Sequence, residues 1–172
     1  NPTWDFVPGS FMHELGHSLG LGHGGADGVN FKPNYHSVMN YAWSSSGGRN
    51  QPFLLDFSRE RFATLVETDL DENVGLGAST NHAGHMVLVG PYRIGPIPVT
   101  PQLVPEVGPV NWDEDGTPGE TGVQRDLDYL TGTTASPFDV LQPSEDWSQL
   151  RFYFLDNPNK VGVHDTEFTN DL

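Results

Sequence analysis

The stretch His13-Glu14-Leu15-Gly16-His17-Ser18-Leu19-Gly20-Leu21-Gly22-His23 constrains this chain more than any other part of it. On a helix that turns about 100° per residue, His13 and His17 lie about 40° apart on one face, so both imidazoles reach a single ion. Glu14 projects about 100° from His13 and about 60° from His17, which sets its carboxylate beside that ion but off the ligand axis. If the helix continued, His23 would turn about 120° away from His17 and face elsewhere. The helix must therefore stop and fold back, and Gly20 supplies the left-handed backbone that such a turn needs. With the chain's own content of His, Glu and Gly, the five-residue pattern His-Glu-x-x-His arises by chance in roughly one such sequence in seventy, and the full pattern in roughly one in ten thousand. His13, His17 and His23 are thus read as metal ligands and Glu14 as a general base. Zinc, borderline-soft and tetrahedral, is the usual occupant of such a set.

Composition narrows the alternatives. The chain has no cysteine, which excludes disulfides and thiolate metal sites, so any metal is held by histidines and carboxylates. Eight basic residues against 23 acidic give a net charge of −15. That balance argues against nucleic acid as a partner, because phosphate binding needs clustered Lys and Arg. No apolar run approaches the roughly 18 residues of a bilayer span, so membrane insertion is not expected either. A hydrophobic content of 35% with 20 Gly and 14 Pro predicts a thin core and a loop-rich fold. A length of 172 residues suits one domain or a large piece of one. The chain starts at Asn1, so it reads as processed or as part of something longer, and a missing signal peptide says nothing about secretion.

Pro8-Gly9-Ser10 predicts a helix start with Ser10 as cap, and a helix over about residues 10–20 with Phe11, Leu15 and Leu19 as its apolar stripe. Thr68-Asp69-Leu70-Asp71 predicts a second, short helix closed by Gly75. Met86-Val87-Leu88-Val89 predicts a strand, and seven prolines from Pro91 to Pro118 predict a long ordered loop with edge strands. A strand over Leu150–Leu155 is expected after a turn capped by Ser144, followed by a polar tail.

Sixteen residues after His23 stands Met39, within Ser37-Val38-Met39-Asn40-Tyr41. The extended histidine motif followed by this segment resembles the metzincin clan of zinc endopeptidases with its downstream Met-turn. The Ser-x-Met-x-Tyr form is similar to the astacin and serralysin branches. Phe11 to His17, Lys32-Pro33-Asn34-Tyr35 and Ser37 to Tyr41 are similar to phrases shared by a group of bacterial secreted metzincin-like proteases. The likeness runs from about Phe11 to Gly77 and returns at Asn111–Leu130 and Asp146–Phe154. The residue after the third histidine, often Glu, Pro, Ser or Asp in metzincin families, is here Gly24, so the resemblance stops at the clan.

That resemblance implies an α+β zincin fold, with the active-site helix and a loop-rich C-terminal subdomain present. An N-terminal sheet subdomain is expected to be missing, since only about 12 residues precede His13, and residues 1–172 then form a partial metalloprotease catalytic domain. It implies that Met39 is an apolar floor under the ligands and that Tyr41 hydrogen-bonds the tetrahedral intermediate. It also implies a secreted or extracellular zinc-dependent endopeptidase acting on protein or peptide. The competing class is a non-catalytic, zinc-stabilised binding or adhesion module.

A second candidate site is Asn111-Trp112-Asp113-Glu114-Asp115-Gly116. Oxygen donors at Asn111, Asp113 and Asp115 followed by a turn glycine resemble the first half of a calcium loop, although position 12 is Gly122 rather than Glu. Glu120, Asp126 or Asp128 would complete the shell. This region, about 111–128, reads either as a calcium site or as a solvated acidic loop. Glu67, Asp69, Asp71 and Glu72 read as helix-start charges and solvated surface. His82 and His85 read as loop residues, and His36 and His164 are given no role.

Overall fold

Helix α1 spans Phe6–Ser18, so it begins before Ser10 and that serine lies inside it rather than at its cap. The reason is Pro8, which sits in the first turn, where a missing N–H has no intrahelical carbonyl to lose and the fixed φ suits the helix. The structure is a computed structural model that describes residues 6–44, 55–78, 80, 83–90, 102–117, 119–128 and 138–151. At its far end α1 closes as expected: Gly20 takes φ 93°, its N–H reaches His17 O at 3.0 Å, and the Leu21 N–H reaches Gly16 O at 3.0 Å. These are the paired bonds of a Schellman turn, which satisfy carbonyls the helix end would otherwise leave open.

The face that α1 buries is not the expected stripe. Phe11 and Leu15 stay 68% and 40% exposed, while Met12 packs inward and His13 and Gly16 are buried. A side chain at Gly16 would put a carbon 2.1 Å from Met39 Sδ, so the helix backbone rests directly on that methionine. Met39, Val38, Tyr35, Leu21 and Phe57 form a small apolar cluster beneath the helix.

Beyond residue 60 the described chain forms six short strands: β1 (Leu65–Val66), β2 (Leu70–Asp71), β3 (Met86–Val89), β4 (Gln102–Pro105), β5 (Thr121–Val123) and β6 (Val140–Leu141). They pair as three antiparallel ribbons, β1 with β6, β2 with β5 and β3 with β4. The strand expected at Met86–Val89 is present, and its partner β4 carries Pro105 opposite Met86, where a two-stranded ribbon leaves a proline free of ladder duty. The helix expected from Thr68 to Gly75 is absent. Thr68 and Asp69 instead turn between β1 and β2, with the Asp69 N–H closing onto Val66 O at 2.8 Å, and after β2 the chain turns again, the Gly75 N–H reaching Asp71 O at 3.1 Å. Cap-forming residues serve turns as readily as helices, and here the flanking Leu65 and Leu70 are claimed by the core. That larger core gathers Leu70, Leu76, Val87, Val104, Trp112 and Leu127 with their neighbours.

The turn before Leu150 is capped by Glu145, whose carboxylate accepts the Ser148 N–H at 3.2 Å, while Ser144 Oγ instead accepts from Gln149 Nε2 at 2.6 Å. The strand expected over Leu150–Leu155 lies, past Arg151, outside the described residues. So do residues 45–50, the proline-rich run 91–101, His82, His164 and the tail. No helix among the described residues is long and apolar enough to cross a membrane.

Candidate metal centre

The fold-back at Gly20 brings His13, His17 and His23 together, with one nitrogen of each lying within 4.8 Å of the others. The Nδ1–H of His13 donates to Val38 O at 2.9 Å, and that of His17 to Leu21 O at 2.9 Å. A carbonyl can only accept, so both protons are committed to Nδ1 and both Nε2 lone pairs point away from these anchors. The two Nε2 atoms face each other at 3.1 Å. Two lone pairs that close repel unless a cation or a shared proton lies between them. Zinc–nitrogen bonds of about 2.05 Å in a tetrahedron put two nitrogens about 3.3 Å apart, so the donor set fits zinc in chemistry and in spacing. Burial, with His17 and His13 adding to it, holds the pKa of His23 below the ordinary histidine value, against an opposing pull from Glu14. A ligand must be neutral to offer its lone pair, and this environment favours that form.

Tyr41 follows the turn containing Met39 and lies over the histidines. Its ring stacks on His13 at 5.0 Å and 9°, and sits 4.8 Å from His23. It is 51% exposed and therefore open to a ligand from solvent. Met39 is fully buried under α1. Glu14 is exposed on the first turn past His13. Three imidazoles and a phenol thus share one surface, and the Glu14 carboxylate is near enough to act on the charge of His23.

Behind them lies a polar layer that sequence reasoning missed. Asp146 is buried and accepts from Tyr35 Oη at 2.8 Å, Ser37 Oγ at 2.6 Å and the Ser58 N–H at 2.9 Å. Ser37 Oγ in turn accepts the Met39 N–H at 3.1 Å. Lys32, one of two lysines in the chain, is buried with its ammonium near Asp27. A lysine is rare in this acidic chain, and one placed nine residues past the third histidine was the available signal.

The acidic segments sort differently from expectation. Glu67 and Glu72 are fully buried, not solvated. Glu67 accepts the amides of Leu127 at 2.6 Å and Asp139 at 2.7 Å, and Glu72 accepts those of Trp112, Gly119 and Glu120 at 2.7, 2.9 and 3.2 Å. In the loop from Asn111, oxygens of Asp113, Asp115 and Glu120 come within 4.8 Å of one another. Asp126 and Asp128 join Glu67 instead, in a separate group. Burial, with Glu67 and Asp126 alongside, pushes the Asp128 carboxyl up to about 7. Asn111 Oδ1 is a buried acceptor with no hydrogen-bond partner among the described residues. His85 is exposed and 3.6 Å from Glu106, and His36 lies against Trp43 and Phe62.

Compared with family models, with curated proteins and with solved structures, the chain gives no match.

Proposed function

We propose that the chain belongs to a secreted zinc-dependent endopeptidase of metzincin type, with an α+β zincin catalytic domain, in which His13, His17 and His23 hold the metal. The observation that carries this reading is the pair of Nε2 lone pairs 3.1 Å apart, each fixed by a Nδ1–H bond to a backbone carbonyl. When bound, zinc lowers the pKa of a water toward roughly 7 and polarises a carbonyl. Glu14 takes the proton of the attacking water and returns it to the leaving amine. Tyr41, stacked over His13, offers its hydroxyl to the oxygen that gains charge as the carbonyl becomes tetrahedral. Asp113, Asp115 and Glu120, with Asn111 beside them in sequence, are proposed to take calcium, which removes the repulsion among the carboxylates.

The test pairs zinc stoichiometry with hydrolysis of a quenched peptide pool. Wild type should hold about one zinc, and Glu14→Gln should keep it while losing roughly 100-fold or more in turnover, as expected for removal of a general base. A wild type that takes up no zinc refutes the centre, and an undiminished Glu14→Gln refutes the mechanism. Zinc uptake without hydrolysis of any peptide would favour the non-catalytic binding module.

A further inference from the structure

His13 and His17 are each oriented by a ring hydrogen bond to a carbonyl. Among the described residues no such bond orients the ring of His23, so beyond its ring contacts with Tyr41, His13 and His17 its placement depends on the backbone that carries it. That backbone is a tight reversal. The Gly22 N–H meets Gly25 O at 2.7 Å, the Gly25 N–H meets Gly22 O at 3.0 Å, and the Gly24 N–H meets Asp27 O at 3.1 Å. A further main-chain group beside His23, Gly24 O, accepts from Lys32 Nζ at 2.9 Å. The same ammonium donates to Gln142 O at 2.6 Å and lies 3.1 Å from both carboxylate oxygens of Asp27. All three of its protons are thereby used, which is what a fully buried lysine requires. The Lys32 carbonyl accepts from Asn40 Nδ2 at 2.8 Å, so one residue braces both the His23 loop and the segment that carries Met39.

We propose that Lys32 is a positioning residue of the metal centre: its ammonium, balanced by Asp27, holds the Gly22–Gly25 reversal that presents His23 to His13 and His17. The inference rests on the metal-centre reading above. It also explains Gly24. A side chain there would put a carbon 1.9 Å from Asp27 Oδ1, 2.5 Å from Val29 O and 2.8 Å from Lys32 Nζ, so the ion pair and the Val29 carbonyl together occupy the space that a larger residue after the third histidine would need.

A metal-affinity cycle on the full chain tests this. Zinc affinity is read by chelator competition and geometry by the visible spectrum of the cobalt-loaded protein. Lys32→Met should weaken zinc by about 10- to 100-fold and shift the cobalt spectrum, as loss of an outer-shell partner does. In a His23→Ala background the same substitution should change affinity by less than about twofold, because the ligand it positions is gone. Unchanged affinity in Lys32→Met, or an equal loss in both backgrounds, overturns the proposal while leaving the centre intact. Zinc uptake absent from wild type instead sinks the centre itself. Should Lys32→Met fail to fold, Asp27→Asn, at the half-open end of the pair, carries the same cycle. A smaller loss seen only where His23 is retained supports the proposal, and no loss or an equal loss in both backgrounds overturns it.

Discussion

Replacing Asp146 should reveal how strongly one buried carboxylate holds the ground beneath the histidines. Its oxygens accept from Tyr35 Oη, Ser37 Oγ and the Ser58 N–H, and Tyr35, Ser37 and Ser58 are all at most 2% exposed. Asp146→Ala strands three buried donors at about 1–3 kcal/mol each, so even after the relief of unburying a charge the loss should be at least about 3 kcal/mol. Asp146→Asn keeps an acceptor oxygen for Ser37 and Ser58, and the Tyr35 hydroxyl can turn to accept from the new amide. The loss is then limited to the difference between charged and neutral bonds, about 1–2 kcal/mol after the same relief. For a chain of this size each kcal/mol moves Tm by about 2–4 °C, so alanine should lower it by about 6 °C or more and asparagine by clearly less. Urea titration with an unchanged slope would confirm a true stability change. An alanine variant that costs less than about 1 kcal/mol, or an asparagine variant as costly as alanine, would refute the reasoning.

On the proposed mechanism the Tyr41 hydroxyl acts only in the transition state, so Tyr41→Phe should lower kcat by roughly 10-fold or more with little change in KM; equal kcat values would leave Tyr41 as packing against His13 and His23. Added calcium at about 100 times its Kd should raise stability by about 2.7 kcal/mol, and scanning calorimetry should find that response gone in the Asp113→Ala/Asp115→Ala variant. In chelator, the Asp128 carboxyl, raised by burial to about 7, makes the folded state hold a proton that the unfolded chain releases near 3.8. The stability it contributes is full below the unfolded value and lost as pH rises toward 7, so Asp128→Asn should flatten the fall in Tm between about pH 4 and 7. A variant with the wild-type slope would assign that pH dependence to other groups.

The part of the site that was legible in sequence is local. Helical spacing relates His13 to His17 within one turn, and the same periodicity shows that His23 can join them only if the chain breaks at Gly20, whose φ of 93° bears this out. The strand at Met86–Val89 was equally plain, since β-branched and apolar residues in an unbroken run have few alternatives. What failed were readings that required knowing where distant chain would go. The cap signals at Thr68–Asp71 suit a helix or a turn, and only the demands of the core on Leu65 and Leu70 decide between them. The spacing of Phe11, Leu15 and Leu19 points to an inward stripe, but a helix resting its backbone on Met39 at Gly16 buries a face one step round, through Met12. Sequence alone points to solvated Glu67 and Glu72 because acids usually are, whereas their burial depends on amides up to 72 positions away.

Those acids also explain how so little regular structure holds the described chain together. The three ribbons pair only two to four residues each, far too few ladder bonds to satisfy the main chain of the turns around them. Buried carboxylates take over that duty. Glu67 collects amides from Leu127 and Asp139, Glu72 from Trp112, Gly119 and Glu120, and Asp146 from Ser58 together with two hydroxyls near Met39. Each carboxylate has about four acceptor sites, and backbone amides directed at an ionised oxygen make stronger bonds than amide to carbonyl. One acid therefore serves as a three-way junction where a strand would give a ladder. Such a junction imposes position without imposing extended geometry, which suits a segment that must place three imidazoles rather than line a sheet. The same logic runs with opposite charge at Lys32, whose ammonium gathers the carbonyls of Gly24 and Gln142. A chain organised in this way should be sensitive at single polar residues and comparatively tolerant along its strands. Conservative truncations at Val104 or Val123, which leave no polar group stranded, should thus cost less than Glu72→Ala, which strands three amides at once.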